Sequence, residues 1–378
     1  MFKVAMSKEV QPLRLGVIGT GMMGCEHIRN IAALDGAVVA AVSDPHETSR
    51  TRALETLRHS GAVQDVPQVF SDHRDLLAHA ELDAVIIASP NFTHVDVLGD
   101  VLRSSLHCLV EKPLCTNVDD CLDVVVAADD RSAITWVGLE YRYMAPVKAL
   151  LDVVQSGSLG ALKMFSIREH RFPFLVKVDN WNRFNKNTGG TLVEKCCHFF
   201  DLMNLAIGSR PRRVFASGGQ DVNHLDEIYN GERADILDNA FVIVDYDNGV
   251  RASLDLCMFA EASQYEQEIV AVGSLGKAET QLPHGEGVVI GKRSDRSIVK
   301  VPTPMDDAVA YEGFHWGASF IEVDKFCRAI RANTSPEVGV LDGLWSVAVG
   351  EAAHRSIDLG RPVEIDDLHP ELGRLRKQ

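Results

Sequence analysis

Arg14-Leu-Gly-Val-Ile-Gly-Thr-Gly-Met-Met-Gly24 runs an apolar strand straight into Gly19-x-Gly21-x-x-Gly24 and then into a helical pattern. Each glycine has its own task in such a turn. Gly19 permits the tight reversal, Gly21 lets the backbone approach a pyrophosphate, and Gly24 lets the following helix lie close against the strand. The phosphates would sit on the helix N-terminus, where unpaired N–H groups and the helix dipole attract negative charge. Gly19, Thr20, Gly21, Met22, Met23 and Gly24 are therefore the first expected cofactor-binding residues.

The next apolar run, Ala37–Ser43, ends in Asp44, twenty positions after Gly24. An acid at that spacing can accept both hydroxyls of an adenosine ribose and would repel a 2′-phosphate, which favours NAD over NADP. Asp-Pro also opens turns without any ligand. The glycines standing in register before it favour the cofactor reading.

Working outward, residues 13 to about 137 alternate short apolar runs with amphipathic stretches, as βαβ units require. Strands are expected at Leu13–Ile18, Val38–Ser43, Ala84–Ala88, Leu106–Val110 and Ile134–Leu139, with a weaker one around Val69. Helical patterns fall at Met23–Leu34, Thr48–Leu57, His94–Ser104 and Asn117–Ala128. Right-handed crossovers then give a doubly wound parallel sheet of the Rossmann type.

After Tyr141 the pattern changes. One helix is expected at Ala145–Gln155, followed by alternating runs at Leu162–His170, Arg213–Gly218, Ala240–Tyr246, Arg251–Phe259, Glu266–Gly273, Lys277–Gln281 and Val288–Ile290. Tyr246-Asp-Asn-Gly249 and Gly273-Ser-Leu-Gly276 join several of these as hairpins, so an open, mainly antiparallel sheet follows. Two helices close the chain near Ser319–Arg331 and Leu341–Leu359, and Asn223–Asp235 reads as a polar surface loop. The fold class is α/β with a C-terminal α+β domain. Residues 13–140 bind the cofactor and 141–368 the substrate, with the helix at 341–359 packing back toward the first domain.

The chain has 378 residues, 46% hydrophobic and 24% charged, which is ordinary globular chemistry for two domains. A net charge of −15 without a basic cluster argues against nucleic acid as a partner. No apolar stretch is long enough to span a bilayer, and Met1–Pro12 lacks the apolar core of a signal peptide, so a soluble cytoplasmic protein is expected. The eight cysteines show no Cys-x-x-Cys pair and no zinc spacing. They read as reduced packing residues, and no metal is expected.

Val110-Glu111-Lys112-Pro113 stands where a parallel strand ends, the side on which open α/β sheets bind ligands. Proline biases Lys112 toward an extended backbone and keeps its ammonium at the strand mouth. Thr188-Gly-Gly-Thr-Leu-Val-Glu-Lys-Cys-Cys-His-Phe-Phe-Asp201 opens a helix after a glycine pair. Glu194 and His198, at i and i+4, share a face with Asp201 close to the same stripe. A histidine can take a proton from an alcohol near neutral pH, and an adjacent carboxylate can orient it. Such a histidine can equally be a core residue held by Asp201 or Glu194.

With these motifs assembled, the chain resembles the Gfo/Idh/MocA family of sugar and inositol dehydrogenases over nearly its whole length. The features that carry the resemblance are Gly19-x-Gly21-x-x-Gly24, Ser89-Pro90-Asn91 followed by His94, Glu111-Lys112-Pro113, Gly189-Gly190 leading to His198 and Asp201, and the closing helix ending at Gly360-Arg-Pro-Val363. The resemblance implies hydride transfer between NAD(P) and a polyol carbon. It implies that Lys112 and His198 are the acid/base and hydroxyl-binding pair, and that Ser89, Pro90, Asn91, His94, Glu111 and Lys112 border the cofactor. The family usually has an aspartate four residues before the histidine, where this chain has Glu194, so a myo-inositol specificity does not transfer directly.

Tyr141, Arg142, Glu169, Arg171, Trp181 and Asn182 are the further candidates for a sugar pocket, because a polyol stacks its C–H face on an aromatic ring while its hydroxyls need directional partners. Glu169 and Arg171 could equally form an ion pair. The expected activity is NAD-dependent oxidation of a secondary hydroxyl of an inositol, such as myo- or scyllo-inositol, or of a sugar, to a ketone. Two alternatives stand beside it: glycoside cleavage or elimination through a transient NAD-dependent oxidation, and a non-catalytic dinucleotide sensor. A homodimer or homotetramer through the C-terminal sheet is expected.

Overall fold

The computed structural model describes residues 11–62, 65–283, 285 and 287–375. The first ten residues, which carry most of the Met1–Pro12 reading, lie outside them. A six-stranded parallel sheet is built from β1 (Leu13–Ile18), β2 (Ala37–Ser43), β3 (Gln68–Phe70), β4 (Ala84–Ile87), β5 (His107–Glu111) and β6 (Thr135–Gly138), ordered β3-β2-β1-β4-β5-β6. The order reverses between β1 and β4, and this is where a crevice opens at the carboxyl ends of the strands. Helices α1 (Met22–Ala32), α2 (Glu47–His59), α3 (His73–His79), α4 (His94–Leu102) and α5 (Val118–Asp129) make the crossovers. The short α3 has no counterpart in the sequence reading, where Asp72 gave no long period to follow; its carboxylate accepts the Arg74 N–H and caps the helix.

β1 and β4 are buried on both faces, which explains their unbroken apolar runs. Gly19 sits at φ +85°, and a Cβ there would collide with the Ser89 backbone; a Cβ on Gly24 would overlap the Gly19 carbonyl oxygen. The two glycines thus pin α1 against β1 and β4, while a Cβ on Gly21 would meet nothing.

The second layer starts with α6 (Ala145–Gln155) and β7 (Leu162–His170), followed by α7 (Asn185–Thr188), α8 (Thr191–Glu194) and α9 (Cys197–Ile207). Next come β8 (Pro211–Gly219), β9 (Ile228–Tyr229), β10 (Glu232–Arg233), β11 (Asn239–Tyr246), β12 (Arg251–Cys257), β13 (Gln267–Gly273), β14 (Gly276–Leu282), β15 (Val288–Lys292) and β16 (Ile298–Val301). After α10 (Ala318–Ala332) and α11 (Val340–Leu359), β17 (Val363–Glu364) and α12 (Pro370–Arg374) end the chain's described part. Nine strands order as β16-β15-β14-β13-β7-β12-β11-β8-β17, antiparallel except for the β7–β12 pair. The expected surface loop at 223–235 contains the small β9–β10 hairpin.

One face of this sheet packs on α6, α9 and α11. The other leaves Met164, Phe215, Phe241 and Ile243 exposed. Helix α11 also reaches the first sheet: the Val118 N–H, at the start of α5, donates to Glu351 (2.7 Å), and Gly343 leaves room for Leu114 and Val137. Among the described residues no helix is long and apolar enough to cross a membrane, and no cluster of three His, Cys, Asp or Glu could hold a metal ion. All eight cysteines are free, and seven are buried.

Candidate active site

β5 ends in Glu111, so Lys112 emerges at the mouth of the parallel sheet, its peptide to Pro113 being cis. Its Nζ donates to the Glu194 carbonyl oxygen (3.1 Å) and faces a cavity whose walls include Met22, Met23, Tyr141, Arg171, Glu194 and His198. Met22 and Met23 open α1, so this cavity adjoins the glycine turn. Lys112, His198 and Glu194 therefore converge on one space.

His198 is buried with its ring flat on Tyr141, centroids 4.0 Å apart and planes 8° apart. Its Nε2 lies 3.6 Å from Glu140 Oε1, and its Nδ1 has no hydrogen-bond partner among the described residues. Burial, then the positive charges of Lys112 and Lys195, drives its pKa well below the ordinary histidine value, so the imidazole is neutral and able to accept a proton. Burial works against the Lys112 ammonium, but neighbours that can carry negative charge, Cys197 and Glu194 first, leave its pKa above the free value. Burial raises the Glu194 carboxyl, opposed by Lys112 and Lys177; one of its oxygens, Oε2, is buried without a partner among the described residues.

The expected continuous helix from Glu194 to Asp201 is interrupted. α8 stops at Glu194 and α9 starts at Cys197, the Cys196 backbone opening to ψ −6°. In this turn Lys195 points to a buried carboxylate: Nζ pairs with Glu169 Oε1 (3.0 Å) and donates to the Tyr141 hydroxyl (3.0 Å). Asp201 does not orient His198. It takes both arms of the Arg142 guanidinium, Nε to Oδ2 at 2.6 Å, and Asp342 holds the same arginine at 2.8 Å. Arg142 is buried in that cluster and lies outside the cavity walls.

Glu169 is fully buried and binds Arg171 (3.5 Å) as well as Lys195, so it stands behind the wall that Arg171 forms. Asn182 is buried and donates to the Leu175 carbonyl (3.0 Å), bracing the segment that brings Phe172, Phe174, Leu175 and Lys177 to the cavity. Trp181 lies edge-on to Phe92 (6.2 Å) and outside the walls.

The cofactor candidates gather at the crevice. Asp44 accepts the Thr20 N–H (2.8 Å) and the His46 N–H (2.9 Å), which fixes the carboxylate beside the glycine turn. The His94 ring lies between the Pro113 and Ser89 carbonyls (Nδ1 2.8 Å and Nε2 3.0 Å) and, neutral through burial, donates to one of them beside the Ser89-Pro90-Asn91 turn; Ser89 also receives the Thr93 hydroxyl (2.7 Å). Glu111 is buried and pairs with His27 of α1 (2.6 Å). The open space over Gly21, the α1 N-terminus without a side-chain cap or an acid in its first turn, and the unpartnered Asn91 amide fit a bound dinucleotide.

Residues of the site that sequence patterns did not single out are Glu140, Lys177, Lys195 and the segment Phe314-His315-Trp316. Glu140 is buried between His198 and His315 (3.3 Å), its carboxylate oxygens without hydrogen-bond donors. Burial, reinforced by Glu111, raises its pKa to about 8. The 314–316 segment crosses from the second layer to α1, where Glu26 accepts the Phe314 N–H (2.9 Å) and the Tyr311 hydroxyl (3.2 Å). It has no periodicity to betray it; Lys195 was visible only as the neighbour of Glu194.

Comparison with known proteins matches residues 13–139 to the description "Oxidoreductase family, NAD-binding Rossmann fold" and residues 152–365 to "Oxidoreductase family, C-terminal alpha/beta domain". A myo-inositol 2-dehydrogenase of Thermotoga maritima is 25% identical over 360 residues, 94% of this chain and 99% of that one. A scyllo-inositol 2-dehydrogenase (NAD(+)) of Bacillus subtilis is 24% identical over 94% of this chain and 96% of its own. A solved levoglucosan dehydrogenase, in complex with NADH and levoglucosan, shares the fold with a TM-score of 0.81 at 19% identity, over 94% of this chain and 100% of the other. The six-stranded domain is an NAD-binding Rossmann domain.

Proposed function

The chain belongs to the Gfo/Idh/MocA oxidoreductase family, with models of both domains matched along it, and from that premise we propose that it is an NAD-dependent dehydrogenase oxidising a secondary hydroxyl of a cyclic polyol, such as an inositol, or of a sugar, to a ketone. Residues 13–140 hold the cofactor and 141–368 shape the substrate pocket. The observation that carries this reading is the convergence of Lys112, His198 and Glu194 on a cavity bounded by the first residues of α1. The inositol dehydrogenases among the relatives support the substrate class.

Bound NAD supplies the hydride acceptor. His198, neutral and with a nitrogen lacking a protein partner, accepts the proton of the reacting hydroxyl. Lys112 hydrogen-bonds the same oxygen as negative charge builds on it. Glu194 accepts from a neighbouring hydroxyl and so orients the ring. Tyr141 holds the imidazole plane, and Lys195 holds Tyr141.

Purified protein with NAD and a panel of inositols, aldoses and glycosides, followed by nicotinamide absorbance at mildly alkaline pH, tests this. NADH should form, and His198→Asn and Lys112→Met should each lose about 100- to 10,000-fold in turnover while still binding NAD. Full activity in both variants would overturn the assignment. Release of an aglycone without net NADH would favour transient redox cleavage instead.

A further inference from the structure

The cavity carries more positive charge than hydroxyl recognition requires. Lys112, Arg171, Lys177 and Lys195 all contribute to its walls, against Glu194 and Glu266 in the walls and Glu169 behind them. Glu111 acts on Lys112 and Lys177 from behind the strand mouth, so the charges balance in number and the cations differ in how closely each is paired.

Two of the four cations are the ones left without full compensation. No carboxylate lies within 4.0 Å of the Lys177 ammonium among the described residues, whereas Lys195 is paired with Glu169 at 3.0 Å. Arg171 shares Glu169 at only 3.5 Å, and its Nε is buried without an acceptor among the described residues. Phe172 fixes the guanidinium plane, with Cζ 4.1 Å from the ring centroid. A guanidinium fork over an aromatic ring, in the same cavity lining as an ammonium with no close carboxylate, is a donor set that suits a planar carboxylate.

We infer that the substrate is a ring polyol or sugar that carries a carboxylate, of the uronic acid type, bound through Arg171 and Lys177 while a ring hydroxyl meets Lys112 and His198. This rests on the dehydrogenase reading of the same cavity. Arg171 and Lys177 are half-buried with donors that lack a close acceptor among the described residues, and a neutral polyol offers them no charged one. A carboxylate supplies that acceptor, so preference for the acid follows from the donors on the cavity wall.

Matched pairs test this: glucuronate against glucose, and galacturonate against galactose, each with NAD. At least one acid should exceed its neutral partner about tenfold or more in kcat/KM. Arg171→Met and Lys177→Met should each reduce that ratio at least about fivefold, chiefly through KM for the acid. Retained NADH binding and Tm show that each variant is folded. Neutral sugars or inositols used as well as the acids, or a ratio unmoved in both variants, would overturn the inference. Absence of NADH formation with every compound would count against the dehydrogenase reading. The charge inference is then decided by calorimetry on the NADH-loaded protein: tighter binding of an acid than of its neutral partner, lost in the two variants, supports it, and equal or undetectable binding of both overturns it.

Discussion

The imidazole of His198 lies parallel to the phenol ring of Tyr141, 4.0 Å away, and Tyr141 is itself tied through its hydroxyl to Lys195. Stacking fixes the ring plane and leaves only the imidazole edges free for proton transfer. Removing the ring in Tyr141→Leu should cost about 100-fold in kcat, the scale of a small misplacement of a catalytic group. Tyr141→Phe keeps the stack and gives up one hydrogen bond, for a loss of about fivefold. Steady-state kinetics of the two variants check this.

The low pKa of His198 keeps it neutral across the physiological range, so kcat/KM should show no His198 limb near pH 6.5; that limb belongs well below it. Lys195→Met removes a neighbouring positive charge and favours the imidazolium. The acid limb should therefore move to higher pH. A pH–rate profile of the two proteins measures the displacement.

Glu140 has a folded-state pKa of about 8, far above its unfolded value, so the folded protein retains a proton that the unfolded chain has released. Stability from this group is fully present below about pH 4.5 and is lost as pH rises through 8. Glu140→Gln cannot ionise. Its Tm should gain on that of the wild type as pH rises, reaching a few degrees by pH 9, in thermal scans between pH 5 and 9.

Gly21 and Gly24 separate binding from folding. Gly21 has a negative φ and empty space where a Cβ would stand, so Gly21→Val should keep its Tm but lose NAD affinity by about 100-fold, the side chain occupying the pyrophosphate's approach. Gly24→Val drives a side chain into the Gly19 carbonyl and should unfold the first domain. Calorimetric NAD titration and thermal melts distinguish the two.

Asp201 accepts Arg142 in the protein interior, and removing one member of such a pair strands the other. Asp201→Asn should lose about 3–5 kcal/mol of stability in chemical denaturation, with the loss read in Tm and denaturation midpoint. The exposed Phe241 and Ile243 mark the face expected to join two copies. In light scattering the wild type should give dimers or tetramers and Phe241→Asp monomers.

Periodicity made most of the architecture legible. β1, α6 and β7 begin and end where the pattern places them, because each has uninterrupted alternation or a strong apolar stripe. β16 was not legible: all four of its residues are exposed, so no burial imprints a period. β17 is only two residues long.

The site was legible where a backbone motif demands particular residues, as at Gly19 and Glu111-Lys112-Pro113. It was not legible where the partner is set by packing. Arg142 looked like a pocket residue because it follows Tyr141, and Asp201 like a partner of His198 because it lies one helical turn further on. The assumption of a regular helix also hid Lys195, which the turn at 195–196 rotates into the cavity.

Glu26 has one further consequence. It belongs to the helix that follows the glycine turn, yet it anchors Tyr311 and Phe314, on the segment that lends His315 and Trp316 to the cavity. The two halves of the chain are therefore not interchangeable cassettes. A chimaera joining this cofactor half to the second half of a relative would inherit a segment without its anchor, or an anchored carboxylate without its segment. Substrate choice in such hybrids must be carried across with residues from both parents.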